Sequence, residues 1–177
     1  MPGPPSEAEI RPDASEHNAY YTRYVERVPD GDIVVTLERQ GRETMATLAG
    51  IGEARSLHRY APGKWSIKDV VGHVTDAERV FALRALAFSR GEVARLFGFD
   101  QDAWVRTAGF DRRPFRDLVA EFEAVRRATL LQLAGLDAEQ WRRRGVANEV
   151  EASVRALAWI IAGHERHHLE ILRERYL

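Results

Sequence analysis

From Asp32 onward, apolar residues recur at three- and four-residue spacing in four separate stretches, the pattern of helices that each bury one face. The first carries Ile33, Val34, Leu37, Met45 and Leu48 around a polar middle, with Asp32 as its N-cap and Gly50 and Gly52 at its end. A Pro62-Gly63 turn follows. Ser66 and Asp69 then form a capping box with the shorter acid. Behind it, Ile67, Val70, Val71, Val74, Phe81 and Ala85 trace the face of a second helix that runs to about Ser89, before Gly91. Asp111 and Pro114 open the third, in which Leu118, Phe122, Val125, Leu130 and Leu133 keep the period as far as Gly135. A short helix from Asp137 through Trp141 comes next, then a loop or hairpin-like turn over Gly145–Ala152, where Val146 and Val150 also suit extended chain. Ser153 caps the last helix, whose apolar residues are Leu157, Ile160, Ile161, Leu169 and Leu172.

More than twenty residues, Gly91 to Arg113, separate the second and third helices. Structureless links of that length are uncommon inside compact domains, so a partly helical crossover is expected here. The whole reads as an all-α fold, a four-helix bundle over residues 31–177 whose long crossover lets two consecutive helices run parallel. Residues 1–30 read as a flexible tail with room for a short helix, since Met1–Asp13 holds four prolines and three acids against one basic residue, Arg11.

Composition removes several function classes. There is no cysteine, hence no disulfide framework, thiolate metal site or cysteine nucleophile, and any thiol chemistry must use a thiol from the substrate. Lysine and arginine total 26 against 27 acids, which gives no long-range field favouring nucleic acid. The one basic run, Arg142 to Arg144, reads as a solvated helix end. The apolar run Ala156–Gly163 is too short to cross a bilayer, and the N-terminus has no secretory signal pattern, so no membrane partner and a cytoplasmic location are expected.

Candidate chemistry concentrates in Gly163-His-Glu-Arg-His-His168. His164 and His168 are four apart and differ by only about 40° around a helix, so both imidazoles can reach one ion. His167 lies about 60° to the other side of His164 and pairs less well. His73 sits among Val70, Val71, Val74 and Ala77 on a face that must be largely buried. Each of these residues alone is compatible with an ordinary core or surface histidine. Together, three imidazoles on two apolar-faced helices supply neutral nitrogen donors and leave coordination positions open, where a structural zinc site would fill all four. Zinc, nickel, iron and manganese all suit such a set. Asp69 and Asp76 stand four before and three after His73, positions from which a carboxylate can orient an imidazole; capping and solvent exposure are the structural alternatives. Glu78 and Glu170 point away from the ligands and read as ion-pair partners, and Trp65 as a staple under the second helix. Phe99 and Trp104, with Asp100 and Asp102, either close over the site as a substrate pocket or only anchor the crossover.

Two segments, Pro62-Gly-Lys-Trp-Ser-Ile-Lys-Asp-Val-Val-Gly-His-Val-Thr-Asp-Ala-Glu78 and Ala162-Gly-His-Glu-Arg-His-His168, resemble the signature segments of the DinB/YfiT-like superfamily. The resemblance covers the chain from about Asp32 and implies an up-down-down-up bundle, frequently a homodimer, with a divalent metal ion held by the residues matching His73, His164 and His168. The superfamily includes thiol transferases, and the resemblance implies a metal-dependent transferase that joins a low-molecular-weight thiol to an electrophilic small molecule. A metal-dependent hydrolase and a non-catalytic metal-binding protein are the alternatives.

Overall fold

The computed structural model describes residues 6–177. Its long helices begin where a side chain can accept the first free backbone N–H groups. Asp32 Oδ1 accepts from Val34 and Val35 at 2.8 and 3.1 Å and starts α2 (Ile33–Ala49), after a short α1 (Ala19–Val25). A single turn, α3 (Glu53–Ser56), then precedes α4 (Ile67–Ser89). At the head of α4, Ser66 Oγ accepts from the Asp69 N–H and Asp69 accepts from the Ser66 N–H, each at 3.0 Å. The capping box read from the sequence is therefore formed. The crossover contains α5 (Gln101–Ala108) and a 3-10 turn (Phe110–Arg112), partly helical as expected. Beyond it lie α6 (Phe115–Ala134), α7 (Ala138–Arg142), a hairpin of β1 (Arg144–Ala147) and β2 (Val150–Ser153), and α8 (Val154–Arg175), capped by Ser153.

The four long helices form the bundle. α4 packs chiefly against α8 and α6, and α2 packs against the same two. Two apolar clusters fill the interior, one around Phe81, Phe88, Trp159 and Ile160, the other around Ile67, Leu118, Phe122 and Leu172. Along α4 and α8 the boundary between these clusters falls at the histidines: Ala77 and Ala162 belong to one cluster, Val74 and Leu169 flank the other side. Among the described residues, no helix is long and apolar enough to cross a membrane.

One segment departs from the sequence reading, and one left open by it is decided. The expected tail over residues 1–30 is, from Ser6 on, part of the packed body. Tyr24, Val25 and Val28 are buried, Arg11 donates to the Val25 and Val28 carbonyls at 2.7 Å, and buried Glu16 accepts from Ser153 Oγ at 2.7 Å and from Arg155. A seven-residue helix is too short to display a period, and its burial depends on tyrosines as much as on aliphatic residues. The stretch after α7, left open between loop and hairpin, resolves as the hairpin: it pairs antiparallel with Arg144 opposite Ser153 and Ala147 opposite Val150. Its turn, Asn148-Glu149, takes positive φ at both residues (52° and 60°), the type I′ geometry that matches strand twist. Leu96 bridges to this hairpin, donating to Val146 O and accepting from Asn148 N–H, and so fixes the first part of the crossover.

α1 lies directly on α8 at Gly163, where a Cβ would be driven into the Tyr24 carbonyl. Backbone cannot yield as a side chain tip does, so Gly163→Ala must push the two helices apart. We expect it to cost about 1–3 kcal/mol in urea unfolding; an unchanged midpoint would show that α1 is not held at this distance in solution.

Candidate metal centre

His73 comes from the middle of α4 and His164 and His168 from successive turns of α8, the pair of helices in closest association. One ring nitrogen from each converges with the other two, all within 4.8 Å of one another. His73 Nε2 and His164 Nε2 are 3.0 Å apart. The rings of His73 and His164 stand 4.9 and 4.6 Å from that of His168, centroid to centroid. His73 and His164 are buried and His168 is half-buried. Among the described residues, this is the converging group of three or more histidines and acids that could hold an ion.

The surroundings determine which form these rings take. Burial pushes His73 down to about 4, and burial together with the neighbouring imidazoles holds His164 and His168 well below the ordinary histidine value. All three are therefore neutral at pH 7, the form that ligates metal. Bonds of about 2.0–2.1 Å to a tetrahedral ion put ligand nitrogens roughly 3.4 Å apart, a spacing that small side-chain rotations reach from the observed geometry. The residues present fit a divalent ion.

The same burial predicts how the metal-free protein responds to acid. The unfolded chain takes a proton on His73 near pH 6.5 and the folded chain only near 4, so stability is complete above 6.5 and is lost as pH falls toward 4. His73 alone contributes a drop of about 2 kcal/mol between pH 6.5 and 5. Urea unfolding of chelator-treated protein at pH 7 and pH 5, set beside His73→Gln, checks this; equal pH dependence in the two proteins would contradict a buried neutral ring.

Not every residue expected at the site is there. Asp69 serves as the capping carboxylate and accepts from Arg59 Nη1 at 2.8 Å, while Asp76 accepts from Arg79 at 3.4 Å; both are engaged away from His73, and the imidazole-orienting role does not follow from the geometry. His167 packs beside Tyr24 and stays outside the triad. Glu170 pairs with Arg27 at 2.6 Å, and Glu78 is buried against Arg126, both as ion-pair partners. Trp65, read as a staple, lays its ring 4.8 Å from His73 and stacks toward His168.

Two of the three histidines, His73 and His164, line a cleft of about 380 Å³ bounded also by Tyr21, Tyr24, Phe81 and Phe99, with Asp100, Gln101 and Asn148 as polar lining. Phe99 is thus a wall residue, and Trp104 backs it at 4.7 Å without lining the cleft itself. The tyrosines were missed in the sequence because they lie in the supposed tail; three aromatic residues within Tyr20–Tyr24 were the available signal. A larger open groove of about 710 Å³ beside Lys68 and Phe115 contains none of the histidines. Its buried Lys68 is fully engaged by Glu53 and the Asp111 and Arg113 carbonyls.

The structure is similar to that of YfiT from Bacillus subtilis, with a TM-score of 0.72 over 93% of each chain at 16% sequence identity. That protein is described as a probable metal-dependent hydrolase with an unusual four-helix bundle topology. At this identity the likeness speaks to the fold. Comparison with curated proteins finds no match. The sequence model of the DinB superfamily matches residues 36–172, a stretch that contains all three converging histidines. The chain belongs to the DinB superfamily.

Proposed function

We propose that the protein is a metal-dependent hydrolase of a small, partly apolar molecule. The observation that carries this reading is the convergence of three neutral imidazole nitrogens, two of them, on His73 and His164, lining a cleft with aromatic walls. Bound there, a divalent ion supplies Lewis acidity and activates a nucleophile at neutral pH, which relieves the chain of providing one. His73, His164 and His168 would hold it. Tyr21, Tyr24, Phe81 and Phe99 exclude water and receive the apolar part of the substrate. Burial raises the Tyr24 phenol to about 12, so it stays protonated and donates a hydrogen bond at neutral pH; Arg23 Nη2 donates to its oxygen at 3.1 Å and fixes its direction. The description of the YfiT structure supports hydrolysis.

A thiol transferase, implied by the sequence resemblance, uses the same three ligands, and the comparisons give it no support. The test is turnover of a panel of nitrophenyl esters and anilides by metal-loaded protein, with and without added cysteine and glutathione. Thiol-independent release of nitrophenol or nitroaniline, lost in His73→Ala, is the expected result. Product only in the presence of thiol, carrying a new C–S bond, would replace hydrolysis by transfer. No turnover under either condition would reduce the site to metal binding.

A further inference from the structure

Arg84 stands on α4 directly behind the cleft wall, on the same face as the α4 residues that line it. His73, Ala77, Phe81 and Arg84 follow one another at steps of four, four and three residues and share one helix face; the first three line the cleft. Arg84 is 4% exposed, with its guanidinium carbon 5.6 Å from the centre of the Phe81 ring and its charge felt by the Tyr21 phenol. Both of those neighbours are cleft walls.

What distinguishes Arg84 is the absence of an anion. Its guanidinium donates through Nη2 to Phe97 O at 2.7 Å and lies against the Tyr21 phenol, both neutral partners, and its buried Nε has no acceptor among the described residues. No carboxylate of the described residues pairs with it, and Met1–Pro5 contains no acid. Arg126, buried to the same degree, shows the usual arrangement: two carboxylates and a carbonyl accept from it. A buried cation without a counter-charge is costly, and the cost is offset when an anion arrives. The one carboxylate that lines the cleft, Asp100, does not meet this need, because its Oδ1 caps α5 by accepting from the Asp102 and Ala103 N–H groups at 2.9 and 3.0 Å.

We propose that the end of the cleft beyond Phe81 is an anion subsite, with Arg84 as its anchor and the Tyr21 phenol beside it. The substrate class is then a small acid: a carboxylate or similar anion at Arg84, an apolar middle against Phe81 and Phe99, and the reacting bond at the histidine end. Its part in turnover rests on the hydrolase reading; binding of the anion does not.

The experiment is calorimetric titration of the full-length protein as purified with 3-phenylpropanoate and with its neutral amide, repeated on Arg84→Met, Arg84→Lys and His168→Ala. Wild type should bind the acid about tenfold or more tightly than the amide. That preference should disappear in Arg84→Met, persist in part in Arg84→Lys, which also controls for folding, and survive in His168→Ala. Equal affinity for acid and amide, no binding of either, or a preference kept in Arg84→Met and lost in His168→Ala would each overturn the subsite, the last because the acid would be sitting on the metal. Preference without ester or amide turnover would sink the hydrolase reading and leave the subsite standing; turnover without preference would do the reverse.

Discussion

Tag-free wild-type protein is expected to retain a single divalent ion through desalting, and His73→Ala, His164→Ala and His168→Ala are each expected to lose it, as read by mass spectrometry of metal content. The loss should be the same for all three, because one nitrogen from each converges on one point and no carboxylate stands by as a replacement. Removing an outer partner of a ligand costs roughly 10–100-fold in affinity, and removing a ligand costs more. His167→Ala should keep its metal, since that ring lies outside the triad. Added metal at about 100 times its Kd should stabilise wild type by about 2.7 kcal/mol, which is roughly 5–10 °C in Tm for a chain of this size. The triad variants should show no such rise. A wild type that takes up no metal, or variants that take up as much as wild type, would return the histidines to the core and remove the basis for catalysis.

The helices and much of the converging histidine group were legible in the sequence for the same reason: both depend on local spacing. Asp32, Ser66 and Ser153 cap the helices assigned to them, and the interval from His164 to His168 already places two rings on one face. Position across the bundle is not local. That Asp69 turns to Arg59 and Asp76 to Arg79 depends on where neighbouring arginines lie after folding, which helical offset from His73 does not contain. The cleft was less legible still. Its walls come from α1, α4, the crossover, the hairpin and α8, five segments brought together only by tertiary contacts, and the segment with the most tyrosines was discounted for its prolines. Arg84 was invisible for a related reason: an arginine on a helix is ordinarily solvated, and only the structure shows it buried and without an acid.

Arg126→Met is expected to cost about 3–5 kcal/mol of stability and to weaken metal binding although Arg126 touches no ligand. Its guanidinium, on α6, donates to Glu78 Oε1 and Oε2 on α4 at 2.9 and 2.7 Å, to Glu165 Oε2 on α8 at 2.7 Å and to the Leu37 carbonyl on α2 at 3.0 Å, so one side chain ties together all four long helices. Gln40 and Thr44 complete the shell of Glu165 at 2.5 and 2.6 Å. Methionine fills much of the volume but leaves two carboxylates in a layer where both are 2% exposed. They must then take up protons, admit water or move apart. Each response shifts α4 against α8, and those two helices carry the three histidines, with Glu165 next in sequence to His164. The combined variant Arg126→Met, Glu78→Leu, Glu165→Leu removes the charges together and should recover most of the lost stability. Urea unfolding separates the outcomes: a single variant within about 1 kcal/mol of wild type would mean that water already reaches this layer, and a triple variant no better than the single would mean that the ion network, rather than the avoidance of unpaired charge, holds the helices in register.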